Sequence, residues 1–302
     1  MNIKLHLIAF LLLVMSTVSA DDKVILITGA SRGIGLETVR LLSQNENDTI
    51  IATARTPEKA ILLQKLADER DNIVIKTLDV ASTTSVNSAI NDTLRLYGKI
   101  DVVVNNAGYG VFGPVETITE EEMLHQYNVD VLGPKRITDA VLPSMRARNS
   151  GRIVNISSIV GRYPSNVLPT YSACKHDLEV ITCGYAFDNA AWEGIVFCII
   201  QPGSVATDFA QSLTTGTRPV VDAPYDIYKK NCRTAIDNAV SHGQPADEVA
   251  AVIKKAIEDP NPDFWYQSSS AVQQLFDKHY KDTTGCGFIR DKVQLSRSWY
   301  NE

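Results

Sequence analysis

Metal-ligand and disulfide patterns are missing from this chain of 302 residues. Its five cysteines, Cys174, Cys183, Cys198, Cys232 and Cys286, include no C-x-x-C pair and no spacing suited to a metal ion. An odd count, with Cys198 inside an apolar run, reads as buried thiols rather than a disulfide framework. Positive charge is also scarce. Lys and Arg number 29 against 35 Asp and Glu, a formal net charge of −6, so the chain lacks the basic footprint of a nucleic-acid binder. Internal repeats and low-complexity linkers are absent as well. What remains, 44% hydrophobic residues, suffices for one large α/β domain or two small ones.

The first twenty residues differ from the rest. Lys4 precedes an apolar stretch from Leu7 to Met15, and Ser16-Thr-Val-Ser-Ala20 then offers small residues for a cut. Residues 1–20 therefore read as a secretory signal peptide, with an apolar core short for a membrane span. An uncleaved N-terminal anchor stays open, because Ile3 to Val18 is nearly continuous; the chain would then associate with a membrane through its N-terminus. In both cases the remainder is expected to be translocated, to a reticulum lumen or to the exterior. Sequons at Asn47, Asn91 and Asn155 are compatible with that route, although Asn155 falls in a predicted core strand.

Past the leader, short β-branched runs alternate with helical patterns. The strand candidates are residues 24–28, 49–54, 73–78, 101–104, 152–156, 195–200 and 264–267, mostly unalternated, as parallel strands buried on both faces should be. Helical patterns cover 35–44, 57–70, 82–97, 120–148, 169–191 and 247–258. The βαβ rhythm predicts a single α/β domain, a Rossmann-type doubly wound parallel sheet over residues 21–302. Residues 208–228, with Gly216, Pro219 and Pro224, interrupt the rhythm and read as a mobile lid over a substrate.

Thr28-Gly29-Ala30-Ser31-Arg32-Gly33-Ile34-Gly35 follows the first strand and opens a helix. Glycines there let the backbone turn sharply and approach a pyrophosphate seated on the helix N-terminus. The second strand ends in Ala52-Thr-Ala-Arg55, where an NAD enzyme would carry a ribose-reading acid. With no acid present, Arg55 and Arg32 suit a 2′-phosphate, which favours NADP(H). Farther on, Tyr171 and Lys175 lie four apart on one helix face, thirteen residues beyond Ser158. The ammonium is expected to pull the phenol pKa down, making Tyr171 a general acid/base for a carbonyl or hydroxyl oxygen that Ser158 can also bond.

Together these residues resemble the short-chain dehydrogenase/reductase family over roughly Lys23 to Gln267. The matching elements are the glycine turn, Asp79 in Leu-Asp-Val, Asn105-Asn-Ala-Gly108, Ser158, Tyr171 with Lys175, and Pro202-Gly203. The resemblance implies that Gly29, Ser31, Arg32, Gly33, Ile34, Gly35, Arg55, Asp79, Asn106, Tyr171, Lys175, Pro202, Gly203 and Thr207 contact the cofactor. Asp79 would meet the adenine amino group and Thr207 the nicotinamide carboxamide. Ser158, Tyr171 and Lys175 would be catalytic. Asp130 joins this catalytic set with a departure from the family: it stands where an asparagine usually offers its main-chain carbonyl to a proton-relay water, whereas Asn128, two residues earlier, would take that place only after a two-residue slip. Pro134 has no N–H to give that carbonyl, so the relay tolerates the change and the side chain's part stays open. Read without the resemblance, Asp79 is a strand-end acid capping the next helix, and Asn106 a turn residue.

Tyr109-Gly-Val-Phe112-Gly-Pro-Val-Glu116 and Ala-Thr-Ala-Arg55 resemble the branch containing 17β-hydroxysteroid and retinol dehydrogenases. That implies lipid metabolism and a lipophilic carbonyl or alcohol (steroid, retinoid or lipid-like), with Tyr109, Val111, Phe112, Tyr163 and parts of 208–228 lining an apolar pocket. Reduction of small polar carbonyls is a second reading, and a non-catalytic NADP-binding sensor a third. Relatives often form homodimers through the fourth and fifth helices.

Overall fold

The computed structural model describes residues 22–221, 223–281 and 286–299. The expected signal peptide or anchor lies outside the described residues. The seven strands expected from the sequence are present within a residue or so, joined by two short strands that were not foreseen. In chain order they are β1 (Val24–Ile27), β2 (Thr49–Ala54), β3 (Ile73–Thr77), β4 (Val102–Asn105), β5 (Val111–Phe112), β6 (Gly151–Ile156), β7 (Ile195–Gln201), β8 (Thr214–Thr215) and β9 (Trp265–Gln267). The main sheet runs β3-β2-β1-β4-β6-β7-β9, all parallel, and β5 pairs with β8 in a separate two-stranded sheet.

Every residue of β1 and β4 is buried. Side chains alternate between two cores: Ile25 and Ile27 enter one, Val24 and Leu26 the other. The first core is closed by α1 (Gly33–Leu42), α2 (Ile61–Asp68) and, later in the chain, a helix over Ala246–Glu258. The second is closed by α3 (Thr83–Tyr97), α4 (Glu120–Asp130), α5 (Leu132–Arg148) and α6 (Pro169–Asp188). Strand order reverses between β1 and β4, and in open α/β sheets a ligand crevice opens there, beyond the strands' carboxyl ends.

The expected helix over 120–148 is two helices. Val131 interrupts it at φ −118 and ψ −59. Pro134 can neither donate to the carbonyl of residue 130 nor sit against it without a clash. Gly133 also packs so closely that a Cβ would fall 2.9 Å from the Val80 Cβ.

The segment expected as a lid carries regular structure among its described residues, 208–221 and 223–228. Ala210–Ser212 is a short 3₁₀ turn, Thr214–Thr215 pair with Val111–Phe112, and α7 (Tyr225–Ser241) has already begun before residue 228. Main-chain bonds tie the segment down: Thr214 N to Gly110 O (3.0 Å), Gly216 N to Phe112 O and Arg218 N to Thr117 O (both 2.9 Å). The Thr217 amide donates to Glu122 Oε1 at 3.1 Å. α7 itself, α9 (Ser270–Tyr280) and α10 (Cys286–Trp299) were not foreseen; α8 is Ala246–Glu258.

Among the described residues, Cys174, Cys198 and Cys232 are buried free thiols as expected, whereas Cys183 is a free thiol only half-buried. Asn155 is buried, receiving a bond from Asn105 and donating to Thr182, so in the folded protein that sequon is closed.

Candidate active site

Loops at the carboxyl ends of β1, β2, β3, β4, β6 and β7 surround one cavity of about 660 Å³, within the size range of small-molecule sites. The turn after β1 lines it with Gly29, Ser31, Arg32, Gly33 and Ile34. Gly29 and Gly33 have φ of +65° and +56°, a backbone region L side chains avoid. Gly35 lies just behind the lining, and a Cβ there would sit 2.4 Å from the Gly29 carbonyl. The turn thus exists in this form only with glycine. It aims the free amides of the α1 N-terminus into the cavity, a cradle suited to a phosphate.

Asn106 braces this cradle. Its Nδ2 donates to Thr28 O at 2.9 Å and Gly29 O at 3.1 Å, while Thr28 Oγ1 accepts from the amides of Asn106 and Ala107. Thr28 was not among the expected site residues; a hydroxyl at the carboxyl end of β1 was the available signal. Asp79 lines the cavity and accepts from the Ala81 amide at 3.0 Å. The cap of α3 is Ser82, not Asp79. Arg32 and Arg55 line the cavity, are exposed, and have no ion-pair partner among the described residues. Pro202, Gly203 and Thr207 come from the loop after β7, with the Thr207 methyl 3.3 Å from where a Gly33 Cβ would be.

Ser158 follows β6 and, with Tyr171 and Lys175 from α6, forms the floor. Pro169 at the first turn of α6 starts the helix that presents both. Ser158 is 9% exposed and Lys175 4%. Lys175 Nζ donates to Ile156 O at 2.8 Å and lies 5.5 Å from the centre of the Tyr171 ring. The expected effect of Lys175 on Tyr171 does not hold. Burial pushes the Tyr171 phenol well above its ordinary range, the Asp130 carboxylate pushes it the same way, and only the hydrogen bond with Ser158 works against them. Lys175 has turned its ammonium to a main-chain carbonyl, and burial pulls its own pKa down.

Asp130 lies behind the cavity wall, wholly buried. The Tyr109 amide donates to its Oδ1 at 3.1 Å, and Oδ2 has no partner among the described residues. Burial raises its pKa to about 6, against the opposing pull of Lys175 and the Tyr109 amide.

Beyond Tyr171 the cavity turns apolar. Cys232, Ala235, Ile236, Ala239 and Val240 of α7 line it together with Trp299 of α10. This wall was missed, although its three- and four-residue spacing is a helical stripe. Of the expected apolar lining, Tyr109 contributes, bonded through its hydroxyl to His125 Nδ1 at 2.6 Å. Val111, Phe112 and Tyr163 do not. The first two are buried in the β5–β8 pairing, and Tyr163 packs edge-on against His279.

Comparison with known proteins agrees with this geometry. The model of the short chain dehydrogenase family matches residues 23–218. A 3-ketodihydrosphingosine reductase of Bacteroides thetaiotaomicron is 31% identical over 85% of this chain and 92% of its own length. Retinol dehydrogenase 8 of Bos taurus is 29% identical over 92% of this chain and 91% of its own. The crystal structure of a short-chain dehydrogenase from Streptomyces avermitilis superposes with a TM-score of 0.76 at 29% identity, covering 92% of this chain and 98% of that one. Other solved chains of the fold include complexes with NAD and with NADP.

Proposed function

The chain belongs to the short-chain dehydrogenase family, and from that premise we propose that it is an NADP(H)-dependent oxidoreductase acting on a lipophilic carbonyl or its alcohol. The observation that carries this reading is one continuous cavity with the phosphate cradle at one end, Ser158, Tyr171 and Lys175 on its floor and the apolar face of α7 at the other end. The glycine cradle, Asp79 and the loop from Pro202 to Thr207 fit a dinucleotide, and the two unpaired arginines beside them fit a 2′-phosphate. When bound, the nicotinamide would supply or accept the hydride. Tyr171 then gives a proton to the substrate oxygen or takes one from it, Ser158 bonds that oxygen, and Lys175 holds the floor of the site through Ile156.

Relatives described as acting on 3-ketodihydrosphingosine and retinol support a lipophilic substrate, as does the apolar chamber wall. The test is turnover of ketones and aldehydes of increasing chain length, with Tyr171→Phe as control. The expected result is a rise of kcat/KM with chain length in wild type and a loss of about 10²–10⁴-fold in the variant. Activity confined to small polar carbonyls would favour the second reading; full activity in Tyr171→Phe would remove the mechanism. We also propose that residues 1–20 direct the chain into the secretory pathway. N-terminal sequencing of the mature protein distinguishes cleavage after Ala20 from a retained anchor.

A further inference from the structure

Asp130 departs from the family pattern by one functional group, an oxygen in place of an amide nitrogen, and its surroundings give that oxygen a consequence. The residue is 0% exposed. Oδ1 is held by the Tyr109 amide, whereas Oδ2 is buried without a partner among the described residues. Asp130 and Lys175 converge over Gly108, where a Cβ would lie 3.0 Å from Asp130 Oδ1 and 3.5 Å from Lys175 Nζ. Four titratable groups face the carboxyl: Tyr109 from the loop after β4, and Tyr171, Cys174 and Lys175 from α6. Gln126 from its own helix favours the ionised form, and Glu179 acts on Lys175 from the other side.

We propose that the buried Asp130 side chain is a positioning residue that sets the direction in which the site is fast near neutral pH, by retaining the proton on Tyr171 and the charge on Lys175. This rests on the oxidoreductase reading above. In carbonyl reduction the substrate carbon gains a hydride and its oxygen gains the Tyr171 proton, leaving an alcohol and a phenolate. Oxidation is the reverse exchange and needs the phenolate at the start. A carboxylate that disfavours the phenolate therefore keeps Tyr171 in the protonated form that reduction needs and confines fast oxidation to high pH. The overall equilibrium does not change; the pH at which each direction is fast does. An asparagine at this position would carry no charge and exert no such bias. The main-chain carbonyl of residue 130, which Pro134 cannot occupy, is the same in both cases.

The direct readout is the ionisation of Tyr171, followed by near-ultraviolet tyrosinate absorbance. Wild type minus Tyr171→Phe, and Asp130→Asn minus Asp130→Asn/Tyr171→Phe, isolate that one residue among the tyrosines. Tyr171 is expected to ionise on the order of one to two pH units lower in Asp130→Asn. The alkaline limb of 2-decanol oxidation with NADP⁺ should move down by the same amount, so that oxidation at neutral pH rises roughly tenfold or more while 2-decanone reduction changes less. Asp130→Ser provides a second uncharged variant should the amide disturb the Tyr109 contact. An unchanged Tyr171 ionisation in both folded variants would overturn the proposal. A shifted ionisation in a protein that turns over no carbonyl would uphold the electrostatic role and overturn the proposed function instead.

Discussion

At the floor of the site, charge and burial compete within a few ångströms, and the outcome differs from what sequence spacing alone suggests. Four-residue separation does place Tyr171 and Lys175 on one face of α6. It does not say which way the ammonium turns, and Lys175 turns to Ile156 O. Nor does spacing reveal that Asp130, more than forty positions earlier, is brought to the same point over Gly108. The identities of the site residues were legible; their electrostatic coupling needed the fold. Asp130 also leaves a mark on stability. Its pKa is about 6 in the folded protein and about 3.9 in an unfolded chain. A raised acid binds its proton more tightly when folded, so its contribution is fully present below pH ~4 and is lost as pH rises through about 6. Over that window wild type should lose roughly 3 kcal/mol from this group, a slope that Asp130→Asn lacks. Denaturant titrations of both proteins between pH 4 and 7 measure it; parallel curves would mean that Asp130 titrates normally.

Helices and strands differed in how plainly they could be read. β1, β4 and β7 are runs of β-branched and other apolar residues with no alternation, because both faces of a parallel strand are covered. α7 carries one apolar stripe at helical spacing, the remainder, including Lys229, Lys230, Arg233 and Asp237, being polar or charged; that signal was present in the sequence but follows directly on turn residues that hid its start. Its neighbour, the segment from residue 208 to 221, carries turn residues and so looked loose, yet Thr214, Gly216 and Arg218 are held by long-range main-chain bonds that no local pattern encodes. These two elements form the far wall of the cavity, so the substrate end of the site was the less legible half. Ala235 sits in that wall with a side chain small enough to leave room. Ala235→Trp should fill the chamber, lowering kcat/KM for a long-chain ketone by tenfold or more while acetone and cofactor affinity change little. Equal losses for both ketones would mean that the chamber does not receive the chain.

For the molecule as a whole, the cavity lies at the switch point where the sheet's two halves meet. A dinucleotide bound there would touch loops from β1, β2, β3, β4, β6 and β7 at once. Both core clusters reach these strands, so a ligand that bridges them stabilises the folded state as a unit, by RT ln(1 + [L]/Kd). At a hundredfold excess over Kd that is about 2.7 kcal/mol, or on the order of 5–10 °C in Tm for a domain of this size. The cofactor preference can therefore be read from melting curves without any substrate. If the proposed NADP(H) preference holds, NADP⁺ should raise Tm at concentrations where NAD⁺ has little effect, because only its 2′-phosphate would engage Arg32 and Arg55. Both guanidinium groups are exposed, so neither has to give up an internal ion pair to bind it. In Arg55→Ala the NADP⁺ shift should shrink towards that of NAD⁺ with no loss of Tm in the free protein, since the side chain bonds to none of the described residues. Equal shifts for the two cofactors in wild type would return Arg55 to an ordinary solvated surface residue and leave the second strand without a cofactor discriminator.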